Sequence, residues 1–161
     1  MPSPRRHPLL ETSRELHAAA QATVRAKIAG SDQDGEQSSF GRVQAGVSAA
    51  YLGMAEEAYG RLKVLAVKRS MYPSRITSHE PNGGVLNTDG NGGIPHIVDT
   101  MLAFSRVDRL DLLPALTAVW PEGSIRGLLT RCGCILDLAW SQGRLGTGPF
   151  FGGKTCFARK P

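Results

Sequence analysis

Between positions 40 and 69, apolar residues recur every three or four places: Val43, Val47, Ala50, Met54, Ala58, Leu62 and Leu65. That spacing lines one face of an α-helix, so the run predicts a helix of about 30 residues that Ser39 can cap. Gly46, Gly53 and Gly60 interrupt it at intervals of seven, which keeps them on nearly one side. Each glycine costs about 1 kcal/mol relative to alanine in a helix interior. Three together predict compensation by a closely packed partner helix, within the chain or across an oligomer.

The rest of the chain extends this reading. Thr12 and Glu15 have capping-box spacing, predicting a helix over 12–29 that Gly30 terminates and that Leu16, Ala20, Val24 and Ile28 line on one face. A third helix is predicted from near His96, with Ile97, Met101, Phe104, Val107, Leu110 and Leu113 inward and Pro114 ending it. A fourth begins at Ser124, with Ile125, Leu128, Cys132, Ile135 and Ala139 inward. The expectation is an all-α domain resembling a four-helix bundle over 12–142. It carries an extended arm over 1–11, a long irregular loop over 73–95 holding Pro73, Pro81 and Pro95, and a glycine-rich basic tail over 143–161. With 161 residues, 41% of them hydrophobic, the chain can bury one core. No apolar run reaches the roughly 18–20 residues of a membrane span.

The net charge of +5 lies at the ends. Arg5 and Arg6 precede the first acid, and Lys154, Arg159 and Lys160 follow the last; the basic and acidic residues between 9 and 144 balance. One internal stretch, with Arg61, Lys63, Lys68, Arg69 and Arg75, has no acid; it reads first as a solvated face, and contact of this stretch and the tails with an anionic surface is the alternative. Three cysteines, an odd number, fit an intracellular, reducing compartment. Organellar targeting is suggested by Arg and Ala near the start and opposed by Glu11 and Glu15.

Two motifs look like chemistry and are disfavoured on their context. Residues 148–155, GPFFGGKT, satisfy the phosphate-loop pattern with Lys154 and Thr155, but six residues are too few for the helix that must follow. Asn87, Asp89 and Asn91 stand at the first three ligand positions of a calcium loop, with the turn glycine at Gly92. The closing carboxylate position is Val98, so a tight polar loop is the better reading. Cys132 and Cys134, if helical, point about 200° apart and away from a shared metal. His96 and Asp99 can share a helix face, but the spacings assemble no catalytic set.

Residues 46–69, GVSAAYLGMAEEAYGRLKVLAVKR, resemble a helix of the C-terminal helical domain of acyl-CoA dehydrogenases and related flavin enzymes. Ala49, Ala50, Leu52, Gly53, Met54, Ala55, Ala58 and Arg69 carry the match, and Tyr72 stands where that family places an aromatic. The resemblance implies FAD as cofactor, with Arg69 and Tyr72 as contacts; without it no cofactor is expected. The chain is too short for the other domains of such an enzyme, so the resemblance implies a detached or degenerate helical domain. The expectation at this level is a non-catalytic helical module that joins a protein partner or a second copy of itself. The alternatives are that flavoprotein domain and a basic-tailed nucleic-acid-binding subunit.

Overall fold

The computed structural model describes residues 13–33, 38–67, 71–80, 84–106, 109–146, 150–153 and 158–159. Lys68, Arg69, Lys154, Thr155 and Cys156, and the arm before residue 13, lie outside the described residues.

Among the described residues four helices come first: α1 (Arg14–Gln33), α2 (Ser39–Tyr51), α3 (Ala55–Val67) and α4 (Thr88–Leu102). Ser13 caps α1, its Oγ accepting from the amides of Glu15 and Leu16 at 3.1 and 3.2 Å. Ser38, not Ser39, caps α2 through the Gly41 amide at 3.2 Å. The long helix expected over 40–69 is two helices. Gly53 holds φ at +71°, a left-handed conformation that glycine adopts without penalty, and the chain turns there before α3 starts.

Glycines also decide how closely the helices approach. A Cβ on Gly46 would lie 2.6 Å from Ile97 Cδ1 and 3.2 Å from Arg61 Cβ, so α2 meets both α3 and α4 at this point. Gly60 faces open space, and Gly53 sits in the turn with Pro114 O beyond it. On α4, Gly93 lies directly under Val43, whose Cβ would be 2.9 Å from an added methyl. Ala49, Ala50, Leu62, Leu65, Ile97 and Met101 fill the core between these three helices.

The all-α expectation is overturned after Leu102. Among the described residues seven strands follow: β1 (Ala103–Ser105), β2 (Leu110–Leu112), β3 (Gly123–Leu129), β4 (Cys134–Ser141), β5 (Arg144–Leu145), β6 (Phe150–Gly153) and β7 (Ala158–Arg159). One sheet has the order β1-β2-β7, with β1 antiparallel and β7 parallel to β2. In the other, β3 pairs with one edge of β4, while β5 and β6 pair with its two ends, all antiparallel. The fold is therefore α+β, with helices and sheets segregated along the chain.

The physical reason for the difference is periodicity. In β4 burial alternates strictly, with Cys134, Leu136, Leu138 and Trp140 inside, and Ile135, Ala139 and Ser141 outside. The proposed fourth helix placed Ile135 and Ala139 inward instead. Gly127 (φ +71°) and Gly133 (φ +79°) break any helix there: the first sits where the β3–β4 register shifts, and the second turns the hairpin. Cys132 and Cys134 flank that turn and both are disulfide-bonded rather than free. The third helix starts at Thr88 rather than near His96 and stops at Leu102, so Phe104 and Leu110 belong to strands. Part of the stretch read as a tail supplies β5, β6 and β7.

Trp120 joins the two halves. Its ring packs edge-on against Tyr59 of α3 at 5.6 Å, and its carbonyl accepts from Trp140 Nε1 at 2.9 Å. Glu56, in the first turn of α3, reinforces the joint by accepting from Thr117 Oγ1 and the Ala118 amide, each at 2.9 Å. No helix among the described residues is long and apolar enough to cross a membrane.

Candidate functional site

Helix α4 organises the polar chemistry, at its head and along its flank. The segment before it folds back through two isolated bridges, Met71↔Thr77 and Ser78↔Leu86, and locks onto the first turn. Asn87 caps the helix, its Oδ1 accepting from the Asp89 amide at 2.6 Å, while its Nδ2 donates to His79 Nδ1 at 2.8 Å. Asn91 Oδ1 accepts from both the amide and the hydroxyl of Thr77 at 2.8 Å, and Asn91 Nδ2 donates to the Arg75 carbonyl at 3.1 Å. Gly90 has to be glycine for this closure, since a Cβ would stand 2.6 Å from Thr77 Oγ1. Both asparagine side chains are thus committed to protein partners. Asp89 between them stays exposed in the first turn of α4.

The three residues weighed as calcium ligands therefore sit in a helix cap. The side-chain oxygens of Asn87 and Asn91 point at backbone and hydroxyl donors. Among the described residues no group of three or more His, Cys, Asp or Glu is placed to hold a metal ion. Tyr72, one of the two flavin contacts implied by the resemblance, accepts from the Gly84 amide at 2.9 Å and braces the same segment. Of the basic stretch, Arg61 is buried in α3, Lys63 lies 5.2 Å from the Tyr59 ring, and Arg75 is exposed with φ at +65°.

Along the flank, α4 forms a cleft of about 120 Å³ with Tyr51, β1 and the end of β3. His96 Nε2 lies 3.5 Å from Tyr51 Oη, long for a hydrogen bond, and the two rings meet edge-on. Tyr51 also stacks edge-on against Phe104 at 5.0 Å. Burial pushes the Asp99 carboxyl above the ordinary carboxylate range, and His96 draws it partly back. Across the cleft, Ser105 Oγ accepts from the Arg131 amide at 2.8 Å. Sequence reasoning had His96 and Asp99 on one face but missed Tyr51, Ser105 and Arg131, because they meet only once the strands fold back.

The carboxylates Asp99 and Glu56 carry opposite pH signatures. The Ala118 amide, then the Thr117 hydroxyl, hold Glu56 below its ordinary value. Its contribution to stability is full above the ordinary carboxylate range and is lost as pH falls through its lowered value. Asp99 is raised, so the unfolded chain ionises first, and folding loses stability as pH rises from the ordinary range through its raised value. Denaturant melts across pH 2–7 are therefore expected to show a shallower acid-side loss in Glu56→Gln and a steeper net gain with rising pH in Asp99→Asn. An unchanged profile in both variants would contradict these assignments.

Residues 104–149 match the family described as glycoside hydrolase family 95, C-terminal domain. That segment runs from the second residue of β1 past β5, through most of the strand-bearing half. The chain is also 37% identical over 76 residues to alpha-L-fucosidase 2 of Arabidopsis thaliana. The matched stretch is 47% of this chain and only 8% of that protein. Any 76 consecutive residues of this chain include part of the helical half, wherever they lie. The acyl-CoA dehydrogenase resemblance is overturned by these matches, and so are the readings as an assembly module and as a flavoprotein domain. Alanine and glycine at helical spacing imitate that family over 24 residues, whereas the two matches point to a glycosidase family.

Proposed function

We propose that this chain is part of a glycoside hydrolase of the family 95 type that acts on α-L-fucosides. In this reading the strands from β1 onward begin its C-terminal domain, and α1–α4 close the preceding helical part. The observation that carries it is the family match over 104–149, which starts almost exactly where the helices stop. The substrate class follows from the name of the plant relative.

Glycoside hydrolysis needs two carboxyl groups, about 5–5.5 Å apart in retaining enzymes and about 6.5–9.5 Å apart in inverting ones. Asp89 and Asp99 differ in setting, one exposed at the head of α4 and the other half-buried, its carboxyl raised by burial. Ten residues apart on one helix, however, they stand about 15 Å apart along its axis. They are not the pair. Asp89 is the better member, because Asn87, Asn91, Thr77 and His79 hold the turn around it rigid while leaving its carboxylate open. The second carboxyl then comes from another part of the larger protein. Titration of the chain with methyl α-L-fucoside should give saturable binding in the range of about 1 mM, with no response to methyl α-D-glucoside. Equal responses to both sugars would overturn the substrate assignment.

A further inference from the structure

A second site lies away from Asp89. The flank cleft shares Tyr51, Phe104, Ser105 and Arg131 with a wider groove of about 660 Å³ that runs between α1, α2 and β1. Ala20, Val24 and Leu52 give that groove an apolar floor, and its size falls within the ~300–1,000 Å³ of ligand pockets. Two cations stand at its β1 side. The Arg106 guanidinium lies 5.2 Å from the centre of the Phe104 ring, an arrangement that orients it without neutralising it. The Arg131 backbone is pinned by its amide bond to Ser105, beside a turn that Thr130 closes onto Cys134. Neither guanidinium has a carboxylate partner among the described residues, whereas Arg25 and Arg109 each have one.

We propose that this groove binds a small amphiphilic carboxylate, its head group between Arg106 and Arg131 and its apolar body along Phe104, Val24 and Leu52. Charge complementarity selects the occupant: two guanidinium groups that have no carboxylate partner among the described residues, at one side of an apolar channel, match a single anionic head on an apolar chain. The acid lining the adjoining cleft is Asp99, which lies beside His96 and does not line the groove itself. The inference needs no sugar at the head of α4, since it uses neither Asp89 nor the residues that cap that helix.

Octanoate and octanol, titrated separately into the full chain by calorimetry at pH 7, test it. Octanoate should bind at least tenfold more tightly than octanol, and 0.5 M NaCl should remove most of that difference. Arg131→Gln should weaken octanoate by roughly tenfold or more and leave octanol unchanged. Arg106→Gln should do the same, which keeps the test open if one variant folds poorly. Absence of saturable octanoate binding, equal affinity for both probes, or indifference to both substitutions would overturn the proposal.

Discussion

Met101→Ala should destabilise the protein by about 2–5 kcal/mol, the cost of removing a large side chain from a core that cannot collapse around the gap. Met101 is fully buried where α4 meets the core of α2 and α3, and the Ala115 amide bonds to its carbonyl as the chain turns back from β2. The cavity would therefore open where the helices hand over to the strands, and both halves should lose stability in one transition. Val67→Ala, at a side chain 79% exposed on the last residue of α3, should change stability by less than about 0.5 kcal/mol. Urea melts followed by far-ultraviolet and by tryptophan signals check both values. Separate midpoints for the two probes would contradict a shared core.

Gly92 and Gly93 should respond to alanine with opposite signs, although they are neighbours in one helix. At Gly93 the new methyl would collide with Cβ, Cγ1 and Cγ2 of Val43. Val43 is β-branched and rigid, so α2 must move away from α4, at a cost of about 1–3 kcal/mol. At Gly92 nothing lies within 4 Å, and Gly92→Ala should stabilise by up to about 1 kcal/mol through helix propensity. Thermal melts of the two variants decide this. A gain at Gly93 would mean that α2 and α4 are not in close contact.

What the sequence disclosed follows from how local each signal is. The apolar stripe of 43–65 marks real helix, because period-four burial needs only neighbours along the chain. The break at Gly53 was hidden, since a glycine at heptad spacing looks the same in a packed seam and in a left-handed turn. The strands were misread for a related reason. In residues 134–141 apolar residues outnumber polar ones, so helical and alternating patterns both find matches, and only pairing with β3 and β6 chooses between them. Asn87, Asp89 and Asn91 stood out as oxygen-rich positions at ligand spacing. The use of the two asparagines as a cap that grips Thr77 and His79 depends on the chain returning over α4, which no spacing rule encodes. Arg131 and Tyr51 lie eighty residues apart and share a cleft only through the fold.

The central claim is that the head of α4 meets the sugar of an α-L-fucoside through Asp89. Amide chemical shifts, followed while methyl α-L-fucoside is added to the chain, test it most directly. The account predicts shifts concentrated at residues 77–79 and 87–91, and their loss in Asp89→Asn at an unchanged melting temperature. Shifts confined to other parts of the surface, no shifts at all, or an Asp89→Asn variant that binds as the parent does, would contradict it.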